Sequence, residues 1–119
     1  MNRRAATLLT GLSLLLLPGC YADVESFAVA SAKQECKRIA ECDRSRFVDQ
    51  YRDDMGRCRT EVEDTILDSA DIAEEFGWEY DQENGQRCIE TQRELRNDCS
   101  DDATREIDDD CLDVLFDGF

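Results

Sequence analysis

Asp23-Val24-Glu25-Ser26-Phe27-Ala28-Val29-Ala30-Ser31-Ala32-Lys33-Gln34-Glu35-Cys36-Lys37-Arg38-Ile39-Ala40-Glu41-Cys42 is the stretch that decides the fold. Val24, Phe27, Ala28, Ser31, Ala32, Cys36, Ile39 and Ala40 recur at steps of three and four, which lines a mostly apolar stripe along one side of an α-helix. Asp23 stands just before the stripe, where its carboxylate can accept a hydrogen bond from a free backbone N–H of the first turn. Asp43 and Ser45 mark a turn, after which Phe47, Tyr51, Met55, Cys58, Val62, Ile66, Ala70 and Ala73 repeat the pattern. Gly56 interrupts this second stripe at about 1 kcal/mol relative to alanine, and divides it into a short and a longer helix. Gly77 after Phe76 reads as a helix stop. Asp81 starts a further helix carrying Cys88, Ile89, Leu95 and Cys99, loosened at its end by Asn97 and Asp98. Ser100 caps a short last helix over 101–107, and the tail from Cys111 brings Leu112, Val114, Leu115 and Phe116 to dock on the bundle. No alternating strand pattern occurs. The reading is an all-α chain, a small bundle of about four helices stapled by disulfides.

The segment before this domain has the layout of an export signal. Arg3 and Arg4 precede an apolar run from Leu8 to Leu17, and no acidic residue appears before Asp23. The run falls short of the roughly 20 residues a membrane span requires. At its end stands Leu17-Pro18-Gly19-Cys20. Leu17, Gly19 and Cys20 resemble the lipobox of bacterial lipoprotein signal peptides; Pro18 departs from the small or β-branched residue usual there. The resemblance implies diacylglycerol joined through a thioether to Cys20, cleavage after Gly19, and acyl chains such as palmitate inserted in a membrane. Each buried methylene adds about 0.8 kcal/mol to that insertion. It divides the chain into a signal peptide at 1–19, a lipidated tether at 20–23 and a cysteine-rich helical domain at 24–119. Tyr21, rather than aspartate, after the cysteine implies the outer membrane in a Gram-negative cell. The alternative reading of the same segment is secretion with cleavage after Ala22.

Cysteine arithmetic fits the anchor. Seven cysteines would leave an exported chain with an odd thiol. With Cys20 given to lipid, Cys36, Cys42, Cys58, Cys88, Cys99 and Cys111 form an even set in an oxidising compartment, so three disulfides are expected. Cys36 and Cys42, six positions apart on one helix, lie roughly 9 Å apart, beyond the ~7 Å Cα limit, and Cys88 and Cys99 are farther still. The bridges should therefore mostly join different helices; fifteen connectivities exist for six cysteines, and spacing does not choose among them. Charge makes the bridges matter. With Arg3 and Arg4 removed, 12 of the 14 basic residues face 29 acidic ones, a net charge of −17 that opposes the compact state. Three bridges at about 2–4 kcal/mol each compare with the whole ~5–15 kcal/mol of a small domain.

Cys36-x5-Cys42, Phe47, Tyr51, Cys58, Tyr80, Cys88-Ile89, Cys99 and Cys111 near Phe116-x-Gly118 resemble the small six-cysteine lipoproteins of myxobacteria and their relatives. That resemblance implies a disulfide-bonded helical envelope protein and carries no activity or site residues with it.

The search for chemistry is mostly one of exclusion. The chain has no histidine, so no Ser-His-Asp triad or His-based zinc motif can be built. No Cys-x2-Cys pair suits zinc or redox work. Asp81-x-Glu83-x-Gly85 and Asp98-x-Ser100-x-Asp102 imitate a calcium loop but misplace its glycine and final acid. Asp108-Asp109-Asp110 reads as a solvated turn, with weak binding of a divalent ion as the other reading. No metal and no cofactor is expected beyond the covalent diacylglycerol on Cys20. The acidic balance, without any cluster of Lys and Arg, argues against nucleic acid and against attraction to anionic lipid. Phe76, Trp78 and Tyr80 are read as rings closing the core between helices, with a partner anchor or sugar platform as the other reading. The expected function is a non-enzymatic interaction or structural role, with a membrane and an envelope protein as partners. A small carboxylate-based enzyme or ligand-binding module is the alternative; a concave pocket with converging carboxylates would favour it.

Overall fold

The structure is a computed structural model that describes residues 21–115. Leu17, Gly19 and Cys20 lie outside the described residues, as does Phe116. The described chain is all-helical: α1 (Val24–Cys42), α2 (Arg44–Tyr51), α3 (Met55–Glu75), α4 (Gln82–Glu94) and α5 (Asp101–Leu112). Each begins on a short polar side chain that takes up a free N–H of the first turn. Asp23 accepts from Ser26 N at 2.8 Å, Asp43 from Arg46 N at 3.3 Å, Asp54 from Arg57 N at 3.0 Å, Asp81 from Asn84 N at 2.8 Å, and Ser100 from Ala103 N at 3.1 Å.

Five helices replace the expected four or so because the second stripe divides completely, at a point other than Gly56. The break lies at Arg52 and Asp53, both in the left-handed region with φ of 56° and 58°, and Asp54 then caps α3. Gly56 sits inside the first turn of α3. Arg44 bonds Asp53 at 2.6 Å and steadies the turn. Gly77 is the stop it was expected to be, with φ of 81°. Two further boundaries differ from the sequence reading. α4 ends at Glu94, ahead of Asn97, and α5 runs on to Leu112, so Asp108-Asp109-Asp110 is helical rather than a turn. Thr91 on α4 donates to Asp110 at 2.5 Å, which holds that part of α5 against its neighbour.

The core is in two parts on either side of α1. Ala32, Cys36 and Ile39 pack with Phe47, Tyr51, Cys58 and Val62 of α2 and α3. Phe27 packs with Cys88, Ile89 and the tail residue Val114, and Ile66 borders both groups. The tail docks through Val114, whose carbonyl accepts from Asp81 N at 3.0 Å, and through Leu115; Leu112 stays exposed on α5. The six cysteines pair as Cys36–Cys58, Cys42–Cys99 and Cys88–Cys111, with Cα separations of 5.9, 5.2 and 4.6 Å. Each bridge joins different elements: α1 to α3, α1 to the α4–α5 turn, and α4 to α5.

Tyr80 shows why α4 carries a glycine in its second turn. Its ring lies against Phe27 at 5.6 Å between centroids, and its hydroxyl donates to the Tyr21 carbonyl at 2.6 Å. A Cβ at Gly85 would collide with the Tyr80 hydroxyl and stand 2.9 Å from its Cζ. The ~1 kcal/mol helix penalty of glycine is therefore accepted so that the ring can enter. Gly85→Ala is expected to destabilise by about 1–3 kcal/mol despite its better helix propensity, read as a lower urea midpoint. Complete reduction of the three bridges should abolish most of the far-ultraviolet helical signal; a reduced protein that keeps it would show that packing alone suffices.

Candidate functional site

Among the described residues the backbones of α3 and α5 do not approach each other closely, although both belong to the same bundle. Between them lies a cleft of about 610 Å³. Its floor comes from α1 and α4 through Phe27, Ser31, Gln34, Ile39, Cys88 and Gln92; Thr65, Ile66 and Ser69 of α3 form one wall, and Thr104, Ile107, Asp108 and Leu112 of α5 the other. At the α2 end the rim carries Glu35, Arg38, Asp43 and Arg46. The size is that of a pocket for a small ligand or one segment of a partner.

The polar groups under this cleft are incompletely matched. Gln92 donates through Nε2 to Ser31 Oγ at 3.1 Å, but its Oε1 is buried without a hydrogen-bond partner, and so is Oε1 of Gln34. Arg38 reaches across the mouth: Nη2 donates to the Asp98 carbonyl at 2.8 Å and to Thr104 Oγ1 at 2.9 Å, while Nε has no partner. These bonds and the Cys42–Cys99 bridge tie the α4–α5 turn and the start of α5 to α1 at one end of the cleft. Burial pushes the Glu35 carboxyl above its ordinary value of 4.5; Arg46 draws it back down and Asp108 across the cleft raises it.

Some sequence candidates are brought together and others are not. Of the three rings in the α3–α4 connection Tyr80 closes the core; burial, then Asp23, Asp81 and Tyr21, push its hydroxyl up to about 12. Phe76 does not close it. It is 66% exposed and stacks on Trp78 at 5.4 Å, because Gly77 turns the chain outward between them. Asp81 serves as the α4 cap and Gly85 makes room for Tyr80, so that imitation of a calcium loop is a helix start. Asp98 and Ser100 form the turn before α5, with Ser100 N donating to Asp98 at 3.0 Å. Among the described residues no three His, Cys, Asp or Glu side chains are grouped to hold a metal. The expectation that Lys and Arg form no cluster does not hold. Lys33 of α1, Arg59 of α3, Arg93 of α4 and Arg96 of the turn after α4 all act on Lys37. No family model, curated protein or solved structure matches this chain.

Gln34 and Arg38 were missed because they look like ordinary interruptions of a stripe, and Ser31 because it was read as one of the stripe's members. Ser31, Gln34 and Arg38 are polar at steps of three and four on the inward side of α1, and that regular intrusion is the signal that could have been read. An unpaired buried oxygen costs about 1–3 kcal/mol, so Gln34→Met should raise the thermal midpoint by about 4 °C or more; a fall would mean that the amide supports the fold. Glu35 holds its proton more tightly folded than unfolded. Its contribution is therefore most favourable below pH 4.5 and declines as pH rises through the raised value. Glu35→Gln is expected to raise the midpoint at pH 7, with the gain shrinking as pH drops below 4.5.

Proposed function

We propose that this chain is a lipid-anchored protein of the bacterial cell envelope, held by diacylglycerol on Cys20, whose helical domain works without catalysis by binding a partner or ligand in the cleft between α3 and α5. The observation that carries the anchor is the pairing of cysteines. All six from Cys36 onward are used among themselves, so Cys20 has no disulfide partner within the chain, and it follows Leu17 and Gly19 of the lipobox. Tyr21 adds to this. Its carbonyl accepts from Tyr80 and its hydroxyl accepts from Arg93 Nη2 at 3.3 Å. Cleavage after Ala22 would remove a residue that the domain holds at two points, whereas cleavage after Gly19 keeps it. No helix among the described residues is long and apolar enough to cross a membrane, and an acyl anchor requires none. An outer-membrane address in a Gram-negative cell belongs to the same reading, through Tyr21.

The binding role rests on the cleft and on the unmatched polar atoms beneath it, since proteins give up stability where function requires it. A second reading, a carboxylate-based enzyme, has one observation in its favour: Glu35 and Asp108 both border the cleft, and the Glu35 carboxyl is shifted toward the protonated form that a general acid needs. The first reading needs no reaction and uses the whole cleft. It is tested by Cys20→Ser. The wild-type protein should partition into the membrane fraction with an intact mass increased by its acyl chains. The variant should lose both properties. Identical fractionation of the two would end the proposal.

A further inference from the structure

In a chain with 29 acidic and 14 basic residues, most cations should find a carboxylate nearby. Five of them instead group around Lys37. Lys33 and Lys37 are one turn apart on α1, Arg93 stands near the end of α4, Arg96 follows in the turn after it, and Arg59 acts on the same site from α3. Among the described residues the ion pairs are Arg44–Asp53 and Arg105–Asp102, and none of the five takes part. Lys37 and Arg96 share a shallow depression with Arg44, where Glu41 is the one carboxylate. Arg59 Nε is buried without a partner. Partial desolvation, then the charges of Lys33, Arg96, Arg59 and Arg93, hold Lys37 below the ordinary lysine value. Like charges left together in this way cost stability unless an anion meets them.

The position of the patch indicates which anion. Arg93 reaches the hydroxyl of Tyr21, the residue after Cys20, so the patch begins beside the attachment point. At ~100° per residue, Lys33 and Lys37 stand ~200° and ~240° around α1 from Ser31, whereas Ser31, Gln34, Glu35 and Arg38 line the cleft. Val29, one turn before Lys33, adds an apolar side chain that is 55% exposed. We infer that this basic face lies on the membrane, with Lys33, Lys37, Arg59, Arg93 and Arg96 against the phosphate headgroups of anionic phospholipids, so that the cleft faces away from the bilayer. The inference rests on the anchored reading and corrects the expectation that anionic lipid repels the whole domain: the net charge does so, and this face does not. An acyl anchor combined with a basic patch is the two-signal arrangement that gives stable and oriented membrane binding.

Lys33 and Lys37 are the only lysines in the chain, so amine acetylation reports on the patch directly. The test uses the mature lipidated protein in nanodiscs of phosphatidylcholine alone or of phosphatidylcholine with phosphatidylglycerol, treated with sulfo-N-hydroxysuccinimidyl acetate and read by mass spectrometry. Both lysines should react roughly fivefold or more slowly in the anionic discs, as expected for basic groups held at an anionic surface. High salt should remove the difference. The double variant Arg93→Glu/Arg96→Glu should react in anionic discs as the parent does in neutral ones. Equal rates for the parent in the two discs would overturn the inference, as would persisting protection in the variant. Equal protection by inorganic phosphate in neutral discs would also overturn it, by assigning the patch to a free anion. A protein that stays with the discs and shows no protection loses only the oriented face; one that stays with neither disc loses the anchor.

Discussion

Carboxylate repulsion is the force this fold is built against, and covalent closure is the answer it uses. With a net charge of −15 over the whole chain, each approach of two helices brings acidic side chains together. Asp108, Asp109 and Asp110 make the point locally. They crowd toward the C-terminal end of α5, where the helix dipole is already negative and no basic residue stands in the last turn. Cys111, next in the chain, is bonded to the fully buried Cys88, and Thr91 takes up Asp110. The bridge fixes the segment that electrostatics would push away.

The bridges also determine which seams of the bundle are closed. One ties α1 to α3, one ties α1 to the turn before α5, and one ties α4 to α5. α1 therefore acts as a spine with a different neighbour on each side, and its stripe divides between two core groups joined at Ile66. The seam between α3 and α5 receives neither a bridge nor a close backbone approach, and that is where the cleft lies. Its opening follows from connectivity, because both walls are covalently tied to other elements and are not free to collapse onto each other.

Helices, most of their starts and the buried stripe residues were legible in the sequence because each depends on near neighbours. Phe27, Ala28, Ser31, Ala32, Cys36 and Ile39 are all buried, and Asp23, Asp43, Asp81 and Ser100 all act as caps. What failed depends on distant partners. The break at Arg52 and Asp53 uses left-handed backbone at two non-glycine residues, steadied by Arg44, so Gly56 drew attention to the wrong place. α5 extends past residue 107 through an acidic run that a local reading assigns to a turn, because the partners that hold it, Cys88 and Thr91, lie on α4. Phe76 and Tyr80 look alike in the sequence and go to opposite sides of Gly77. The basic group was invisible for the same reason: its members are separated by up to 63 positions, and only packing gathers them around Lys37.

Anchor, patch and cleft then constrain one another geometrically. The anchor alone would leave the domain free to tumble about the short link before Asp23, and the net negative charge would favour orientations that hold it off an anionic surface. Tyr21 reduces that freedom, because its carbonyl and its hydroxyl are both engaged, by Tyr80 and Arg93. An anchor on the preceding Cys20, as proposed, would thereby join the domain beside α4. From that point a basic face on the far side of α1 from the cleft would select one orientation out of many, with the cleft open to the aqueous side. A few cations in a strongly acidic chain would suffice for this, because in that orientation the patch alone would lie within a Debye length, ~8 Å at physiological salt, of the phosphate plane. The distant carboxylates would be screened from it. On the exposed side the acidic majority would keep copies of the domain apart.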